Sequence, residues 1–365
     1  MRILLTGGGT AGSVSPLLSI YSRLKQIDSG FKESDFLWLG TRKGPEAKMV
    51  AEYGIKFKPI LAGKMRRYFD LRNFLDIFRF WLGFWQSFLI ILKYKPDIIM
   101  SAGSFVSVPV VWAGWFLGRK CYIHQQDIRP GLANKLMAPF ARKITVTFEE
   151  SMRHFSKKKT VWTGNPVREE ILSGYKESGR KRFGFEKGVP VLLVTCGGTG
   201  SVVVNRVVVE ALSELTKFCQ VIHITVGKME NAPRHGSGQG KWKMENNKRY
   251  HPVEFLDVGG MADAYAVADL VVSRGGLSSL TELSALAKPT IFIPLGNTHQ
   301  EDNVKYVLAK KAGEVIWEKD LSVDKLTKLC KDILFDDKRR GVLSLNLSKI
   351  MPRGGAEKIT KITGG

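Results

Sequence analysis

Cysteine is scarce in this 365-residue chain: Cys121, Cys196, Cys219 and Cys330 are the only four, and no two stand in a CxxC or other zinc-like spacing. That excludes a disulfide-framed scaffold and a zinc module, and reads as the reduced thiols of a cytosolic protein. Acidic residues are also few, Asp+Glu 34 against Lys+Arg 56. No Asp-x-Asp occurs, so the chain lacks that carboxylate pair for a metal-bound diphosphate. The longest apolar run, 80–92, is interrupted by Gln86 and Ser87, and falls short of the roughly 20 residues needed to cross a bilayer. Met1-Arg2-Ile3-Leu4-Leu5 runs straight into a strand-like segment, so no secretory leader is expected. There is no low-complexity tract and no short-period repeat.

What is present supports packed cores: 44% of the residues are hydrophobic, and the length favours two domains. The net charge of +22 favours an anionic partner, either nucleic acid or an acidic membrane surface. No helix-turn-helix, RRM-like or zinc signature accompanies it, which weakens the nucleic-acid reading.

Two glycine-rich turns stand about 190 residues apart. Gly7-Gly8-Gly9-Thr10-Ala11-Gly12-Ser13 follows Ile3-Leu4-Leu5, and Gly197-Gly198-Thr199-Gly200-Ser201 follows Val191-Leu192-Leu193-Val194. A strand feeding a glycine loop that opens a helix aims backbone N–H groups and the helix dipole at one point, a ready anion site. Apolar strand candidates recur at 2–6, 36–39, 98–101, 121–124 and 144–147, then at 191–195, 221–226, 270–273, 290–294 and 314–316. Continuous Val/Ile/Leu runs alternating with helix-length segments predict buried parallel sheets of the doubly wound α/β class. The turn-rich stretch Thr163-Gly164-Asn165-Pro166 marks a boundary. Residues 230–249 read as a loop, and 343–365 as a terminal helix crossing back to the first domain.

Gly7, Gly9 and Gly12 formally satisfy G-x-G-x-x-G. A dinucleotide enzyme would also need an acidic residue about 20 positions on, closing a second strand, and neither Asp28 nor Asp35 clearly does so. A tight turn without ligand and a generic phosphate or sugar turn are the other readings. In the second half, Arg274-Gly275-Gly276-Leu277-Ser278-Ser279 follows a strand and opens a helix that carries Glu282. Small residues at a helix N-terminus offer N–H groups to phosphate, and a carboxylate two turns on can grip a ribose. His299-Gln300-Glu301-Asp302-Asn303, after the next strand, suits sugar hydroxyls.

Between the second and third predicted strands, Phe74, Phe78, Trp81, Trp85, Phe88 and Leu92 recur at helical spacing, flanked by Arg66, Arg67, Lys93 and Lys95. A helix docked on the sheet with solvated basic residues is one reading. Basic flanks on both sides and an excess of aromatic groups, with Trp112 and Trp115 in the same domain, match a surface that touches anionic lipid.

In these pieces the chain resembles the MurG family of peptidoglycan glycosyltransferases, of the GT-B class, nearly end to end. The matching segments are GGGTAGSVSP (7–16), GKMRRYF (63–69), SAGSFVSVP (101–109), HQQDIRPGLANKL (124–136), GNPVREEI (164–171), MADAYAVADLVVSRGG (261–276) and HQEDN (299–303). The resemblance implies two Rossmann-like doubly wound parallel-sheet domains facing a cleft. Residues 1–163 would form an acceptor and membrane-contacting domain, 164–342 a UDP-GlcNAc domain, and 343–365 a helix packed back on the first. It implies inverting transfer of GlcNAc from UDP-GlcNAc to the C4 hydroxyl of MurNAc in lipid I, giving lipid II and UDP. The enzyme would work on the cytoplasmic face of the membrane as a peripheral protein, alongside other cell-wall synthesis proteins and without nucleic acid. By the family pattern the sugar donor would meet Arg168, Gly198, Thr199, Leu277, Ser278, Ser279, Glu282, His299, Gln300 and Asn303. The acceptor diphosphate would lie near Thr10, Ala11, Gly12 and Ser13, with Ser104 close by. Membrane contact would fall to Arg66, Arg67, Phe74, Phe78, Trp81 and Trp85. No cofactor is implied, although a divalent cation accompanying the UDP diphosphate is compatible.

Three departures stand out. Ser13 replaces a family histidine often proposed for catalysis, His124-Gln125-Gln126-Asp127 replaces H-E-Q-N, and Thr199 stands where the second loop usually has glutamine. Serine has no useful pKa for a general base. Asp127 is therefore the candidate base, alone or through water with Ser13; its alternative role is to cap the following segment. A GT-B enzyme with another lipid acceptor, a UDP-GlcNAc epimerase and a catalytically impaired lipid I-binding protein are the competing readings.

Overall fold

The computed structural model describes residues 1–63, 72–198, 200–226 and 247–364. The chain divides into two compact units, Met1–Arg168 with Met351–Gly365, and Glu169–Ile350.

The first unit contains β1 (Ile3–Thr6), α1 (Ser15–Ile27), β2 (Phe36–Gly40), α2 (Glu46–Ala51), β3 (Lys56–Pro59), α3 (Arg72–Tyr94) and β4 (Ile98–Ser101). It continues with α4 (Ser107–Phe116), β5 (Lys120–Gln125), α5 (Leu132–Met137), β6 (Lys143–Val146) and β7 (Thr160–Trp162). The seven strands are parallel, in the order β3-β2-β1-β4-β5-β6-β7. β1, β2 and β4 are apolar runs buried on both faces, because α1 covers one side and α3, α4 and α5 the other. Register aligns Thr6 with Ser101, and Ser101 with Ile123, so the loops leaving β1, β4 and β5 emerge side by side. Chain direction reverses its march between β1 and β4. That switch point opens a crevice at the carboxyl ends of the strands.

The second unit contains α6 (Lys176–Phe183), β8 (Val191–Thr195), α7 (Val202–Glu210), α8 (Leu212–Phe218), β9 (Gln220–Ile224) and β10 (Tyr250–Val253). After these come α9 (Val258–Val267), β11 (Leu270–Ser273), α10 (Leu277–Ala285), β12 (Thr290–Phe292), α11 (His299–Ala309), β13 (Glu314–Val315), α12 (Val323–Leu334) and α13 (Asp337–Leu347). Its parallel sheet runs β10-β9-β8-β11-β12-β13, with the switch between β8 and β11.

The segment 343–365 is not one helix. It comprises the end of α13, a break at Met351-Pro352-Arg353-Gly354, and α14 (Gly355–Thr363). Proline lacks the N–H that a helix interior needs, and Gly354 turns left-handed at φ 71°. α13 belongs to the second unit, whereas Ile359 of α14 is buried in the core beneath α1.

Ten strands were expected, and the described residues form thirteen. The additional ones, β3, β7 and β10, are all edge strands. Lys-Phe-Lys-Pro, Thr-Val-Trp and Tyr-His-Pro-Val carry charge or proline, or are only three residues long, as edges that must resist further pairing commonly do. They therefore give no continuous apolar signal.

Candidate functional sites, one in each unit

In the first unit the glycine loop runs from β1 through a 3-10 turn at Ala11–Ser13 into α1. Much of it is tied inward. Gly7 N–H donates to the Leu39 carbonyl at 3.4 Å, and Trp38 Nε1 donates to the Gly7 carbonyl at 2.9 Å. Gly9 N–H donates to Glu46 Oε2 at 3.1 Å. Glu46 is fully buried, and its other oxygen accepts from Thr41 N–H at 2.6 Å and from the Thr41 hydroxyl. A Cβ on Gly8 would stand 2.1 Å from Glu46 Oε1, so this close approach requires glycine. The Ser13 hydroxyl turns into the loop, donating to the carbonyls of Gly8 at 3.2 Å and Thr10 at 3.3 Å. It fastens the turn and is buried. Ser104 reaches across from the β4 loop to the same Gly8 carbonyl at 2.7 Å. Its φ of 116° is strained for a non-glycine residue. Thr10 is exposed at the loop tip, Gly12 is half-buried, and Ala11 lies in the 3-10 turn.

The β5 loop stands on the other side of β4. Gln126 Nε2 donates to the Ala102 carbonyl at 2.7 Å. Gln125 Nε2 donates to the carbonyl of Asp127 at 2.6 Å, while its Oε1 accepts from Asn134 at 2.6 Å. A glutamate at 125 could accept from Asn134 but could not donate to Asp127, so the amide suits this loop. Asp127 is half-buried, with its backbone also held by Ser151 at 3.3 Å. The N-cap of α5 is Gly131, so Asp127 does not cap that helix. His124 is buried between Thr145 Oγ1 at 2.9 Å and Asn165 Oδ1 at 2.8 Å. Burial pushes it down to about 4; it is a neutral connector in the core.

In the second unit the loop Cys196-Gly197-Gly198 leaves β8 and meets α7 at Ser201, with Gly197 at φ 68°. Gly198 is exposed. Arg274, at the end of β11, is 7% exposed and braces three segments. It donates to the Ile293 carbonyl at 3.1 Å, to Glu318 and to the Ser201 hydroxyl. Ser201 also accepts from Val204 N–H at 3.3 Å, as the N-cap of α7. With both acceptor positions taken, its own proton is left to donate. Ser201, Arg274 and Glu318, with Cys196, Gly200 and Gln300, line a cavity of about 270 Å³.

Three helices begin at this rim. Ser201 caps α7 and Thr298 caps α11, but α10 starts from Gly276 with no side-chain cap. The first N–H groups of α10, those of Leu277, Ser278 and Ser279, thus receive no N-cap side chain, and an anion could satisfy them. Ser278 is exposed, Ser279 half-buried and the Leu277 side chain buried. Glu282, half-buried, accepts from the fully buried Tyr265 hydroxyl at 3.0 Å, which fixes its orientation. His299 is exposed, and Gln300 accepts from Leu295 N–H at 2.9 Å through Oε1. Asn303 lies deeper than His299 and Gln300 on α11. It is 1% exposed, and its amide donates to the Gly275 carbonyl at 3.3 Å. One turn into α11 it faces the β11 loop, which it steadies.

α3 carries apolar groups on two faces. Phe80, Phe84 and Phe88 pack on the core, whereas Phe78, Trp81 and Trp85 are 65%, 50% and 57% exposed, continued by Leu89 and Leu92. Phe88 therefore belongs to the inner face. Phe74 lies on α3. Arg66, Arg67 and Thr199 lie outside the described residues. Arg168, half-buried, is the last residue of the first unit before the chain enters the second. Sequence reasoning missed two residues as site builders, Glu46 and Arg274; the only signal for Arg274 was its place between a strand and a glycine pair.

Residues 3–146 match the Glycosyltransferase family 28 N-terminal domain, and residues 191–349 the Glycosyltransferase family 28 C-terminal domain. The chain belongs to glycosyltransferase family 28, on its MurG branch. Family 28 relatives bear this out along the whole length. The UDP-N-acetylglucosamine--N-acetylmuramyl-(pentapeptide) pyrophosphoryl-undecaprenol N-acetylglucosamine transferase of Clostridium botulinum is 36% identical over 363 residues, 99% of this chain and 98% of that one. A Bacillus cereus protein of the same description, numbered 2, is 36% identical over 336 residues, 91% of each chain. The Acinetobacter baumannii MurG crystal structure superposes with a TM-score of 0.74 at 19% identity, covering 99% and 98%. A Listeria monocytogenes structure described as a putative UDP-N-acetylglucosamine 2-epimerase superposes at 0.69 with 12% identity, covering 100% and 97%. The last two likenesses speak to the GT-B fold alone.

Proposed function

We propose that this family 28 glycosyltransferase moves GlcNAc from UDP-GlcNAc to the C4 hydroxyl of MurNAc in lipid I. The products are lipid II and UDP, with inversion at the sugar carbon. The observation that carries this reading is 36% identity over 99% of the chain to a transferase of that description. It is joined by a switch-point crevice in each unit.

In this reading the second unit takes the sugar donor. The uncapped start of α10 would hold the diphosphate and stabilise the departing UDP, as preorganised N–H groups do for developing negative charge. Glu282, oriented by Tyr265, would accept from the ribose hydroxyls. Gln300 and His299 would meet the sugar, with Gly198 and Thr199 as further donor contacts. The first unit takes the acceptor, its diphosphate near Thr10 to Gly12.

Direct displacement needs a base for the C4 hydroxyl proton. Ser13 donates into its own loop and cannot supply one, which leaves Asp127, anchored through its carbonyl by Gln125. Charge on the leaving diphosphate would be met by helix N–H groups, with any divalent cation travelling on the nucleotide. The outer face of α3 would rest on an anionic membrane surface, placing the enzyme peripherally where its lipid substrate lies. Among the described residues no helix is long and apolar enough to cross a membrane.

The deciding experiment is transfer of radiolabelled GlcNAc from UDP-GlcNAc to a short-chain lipid I analogue. Labelled disaccharide product is expected. UDP-GlcNAc binding with no transfer to this acceptor would overturn the reading in favour of another acceptor or a binding-only role.

A further inference from the structure

The first unit holds an apolar cavity of about 210 Å³ between α3, α4 and α5, which the site described above does not use. Its walls include Ile77 and Phe80 of α3, Phe105 and Trp112 on and before α4, and Ala133 and Leu136 of α5. The one charged lining side chain among the described residues, Asp76, is paired through Oδ1 with Arg79 at 3.1 Å.

Two of these residues mark where the cavity leads. Phe105 lies against the first glycine loop, its ring 3.0 Å from where a Cβ on Gly9 would stand. Ile77, 51% exposed, begins the outward apolar face of α3 that continues through Phe78 and Trp81. The cavity thus lies between the loop assigned to the acceptor diphosphate and the face assigned to the membrane. A lipid with its headgroup at the loop and its tail at that outward face would pass this cavity. The volume is below the roughly 300–1,000 Å³ of pockets that enclose a whole small-molecule ligand. It fits a short segment of a longer chain.

We propose that this cavity seats the diphosphate-proximal units of the acceptor's prenyl chain, so that the protein itself grips the lipid before the bilayer does. The proposal rests on the assignment of the first unit to a prenyl-diphosphate acceptor. It makes the prenyl group a specificity element in solution, without any membrane. Branched, flat isoprenoid carbons suit walls made of Phe80, Phe105 and Trp112 rings.

The test is calorimetric titration of the full chain in detergent-free buffer with two probes, geranyl diphosphate and inorganic diphosphate. Geranyl diphosphate is expected to bind at least about tenfold more tightly, the factor that burying roughly two methylene groups provides. Ala133→Phe, and the milder Ala133→Leu, fill the cavity. Either is expected to bring geranyl diphosphate down to the level of inorganic diphosphate while UDP binding and the melting temperature stay near wild type. Wild-type protein that binds geranyl diphosphate no more tightly than inorganic diphosphate overturns the proposal. So does a prenyl preference that survives in a folded filled variant. The two readings fail separately. Prenyl-dependent binding without sugar transfer would sink the transferase assignment alone, and transfer by Ala133→Leu at an unchanged acceptor KM would sink the cavity alone.

Discussion

The two units carry the same device, a glycine loop at a sheet's switch point, but brace it with opposite charges. Behind the first loop stands a buried carboxylate, Glu46, which takes the Gly9 N–H for itself. Behind the second stands a buried guanidinium, Arg274, which holds the loop by Ser201 and leaves the start of α10 uncapped. A negative brace weakens the first loop as an anion site, and a positive one strengthens the second, although Glu318 shares its charge. In the proposed reading the nucleotide diphosphate goes where that field and the uncapped start of α10 coincide. The first loop instead presents an exposed tip to a ligand that must also be held elsewhere. Similar folds therefore need not bind with similar strength; the sign of one buried side chain separates them.

This contrast can be broken from either side. The largest effect is expected at Asp127, which belongs to the first unit alone. Asp127→Asn should lower kcat by about 10²–10⁴-fold, the usual worth of a general base, with UDP-GlcNAc affinity unchanged in equilibrium titration. Normal turnover in that variant would remove Asp127 from the chemistry. Next comes Arg274→Met. Leaving Glu318 unpaired and the Ser201 contact empty should cost about 3 kcal/mol in urea unfolding and weaken UDP binding, while geranyl diphosphate binding is unaffected. Arg274→Lys should rescue little, because one ammonium cannot span three acceptors. Glu46→Gln should be milder, about 1–3 kcal/mol for one mismatched donor facing Gly9. It should raise the acceptor KM and spare the donor KM, the mirror image of Arg274→Met.

The smallest separation is expected in acid. Burial holds His124 in the first unit and His223 in the second near 4, against about 6.5 in an unfolded chain. The unfolded state binds those protons first. The stability present above about pH 6.5 should therefore fall as pH drops towards 4, by similar amounts in both units. Urea midpoints measured from pH 7 to 4.5 would show this slope, and His124→Asn should flatten its share. A slope unchanged in that variant would count against a neutral buried His124.

Much of this was legible in sequence. Continuous apolar runs identified ten strands because a parallel sheet covered on both faces requires them. The glycine loops were readable because each follows its strand and leads into its helix directly along the chain. Glu46 was not, since it reaches a loop 37 residues away and looks like an ordinary helix-starting carboxylate. The same holds for the bond from the Asn303 amide to the Gly275 carbonyl, 28 residues away, which has no sequence signal. The inner and outer faces of α3 could not be told apart by periodicity, because both are aromatic.

The chain leaves the first unit after Arg168 and re-enters it only at Met351. During synthesis, then, the unit begun first is finished last. The core side of α1, with Leu17, Ile20 and Leu24, waits for Ile359 while the ribosome makes the whole of the second unit. Until that segment emerges, a nascent chain carries a bare hydrophobic face, and premature termination within the last few turns would leave it so. Quality control by chaperones and proteases should therefore sense the far end of this polypeptide through the stability of its beginning.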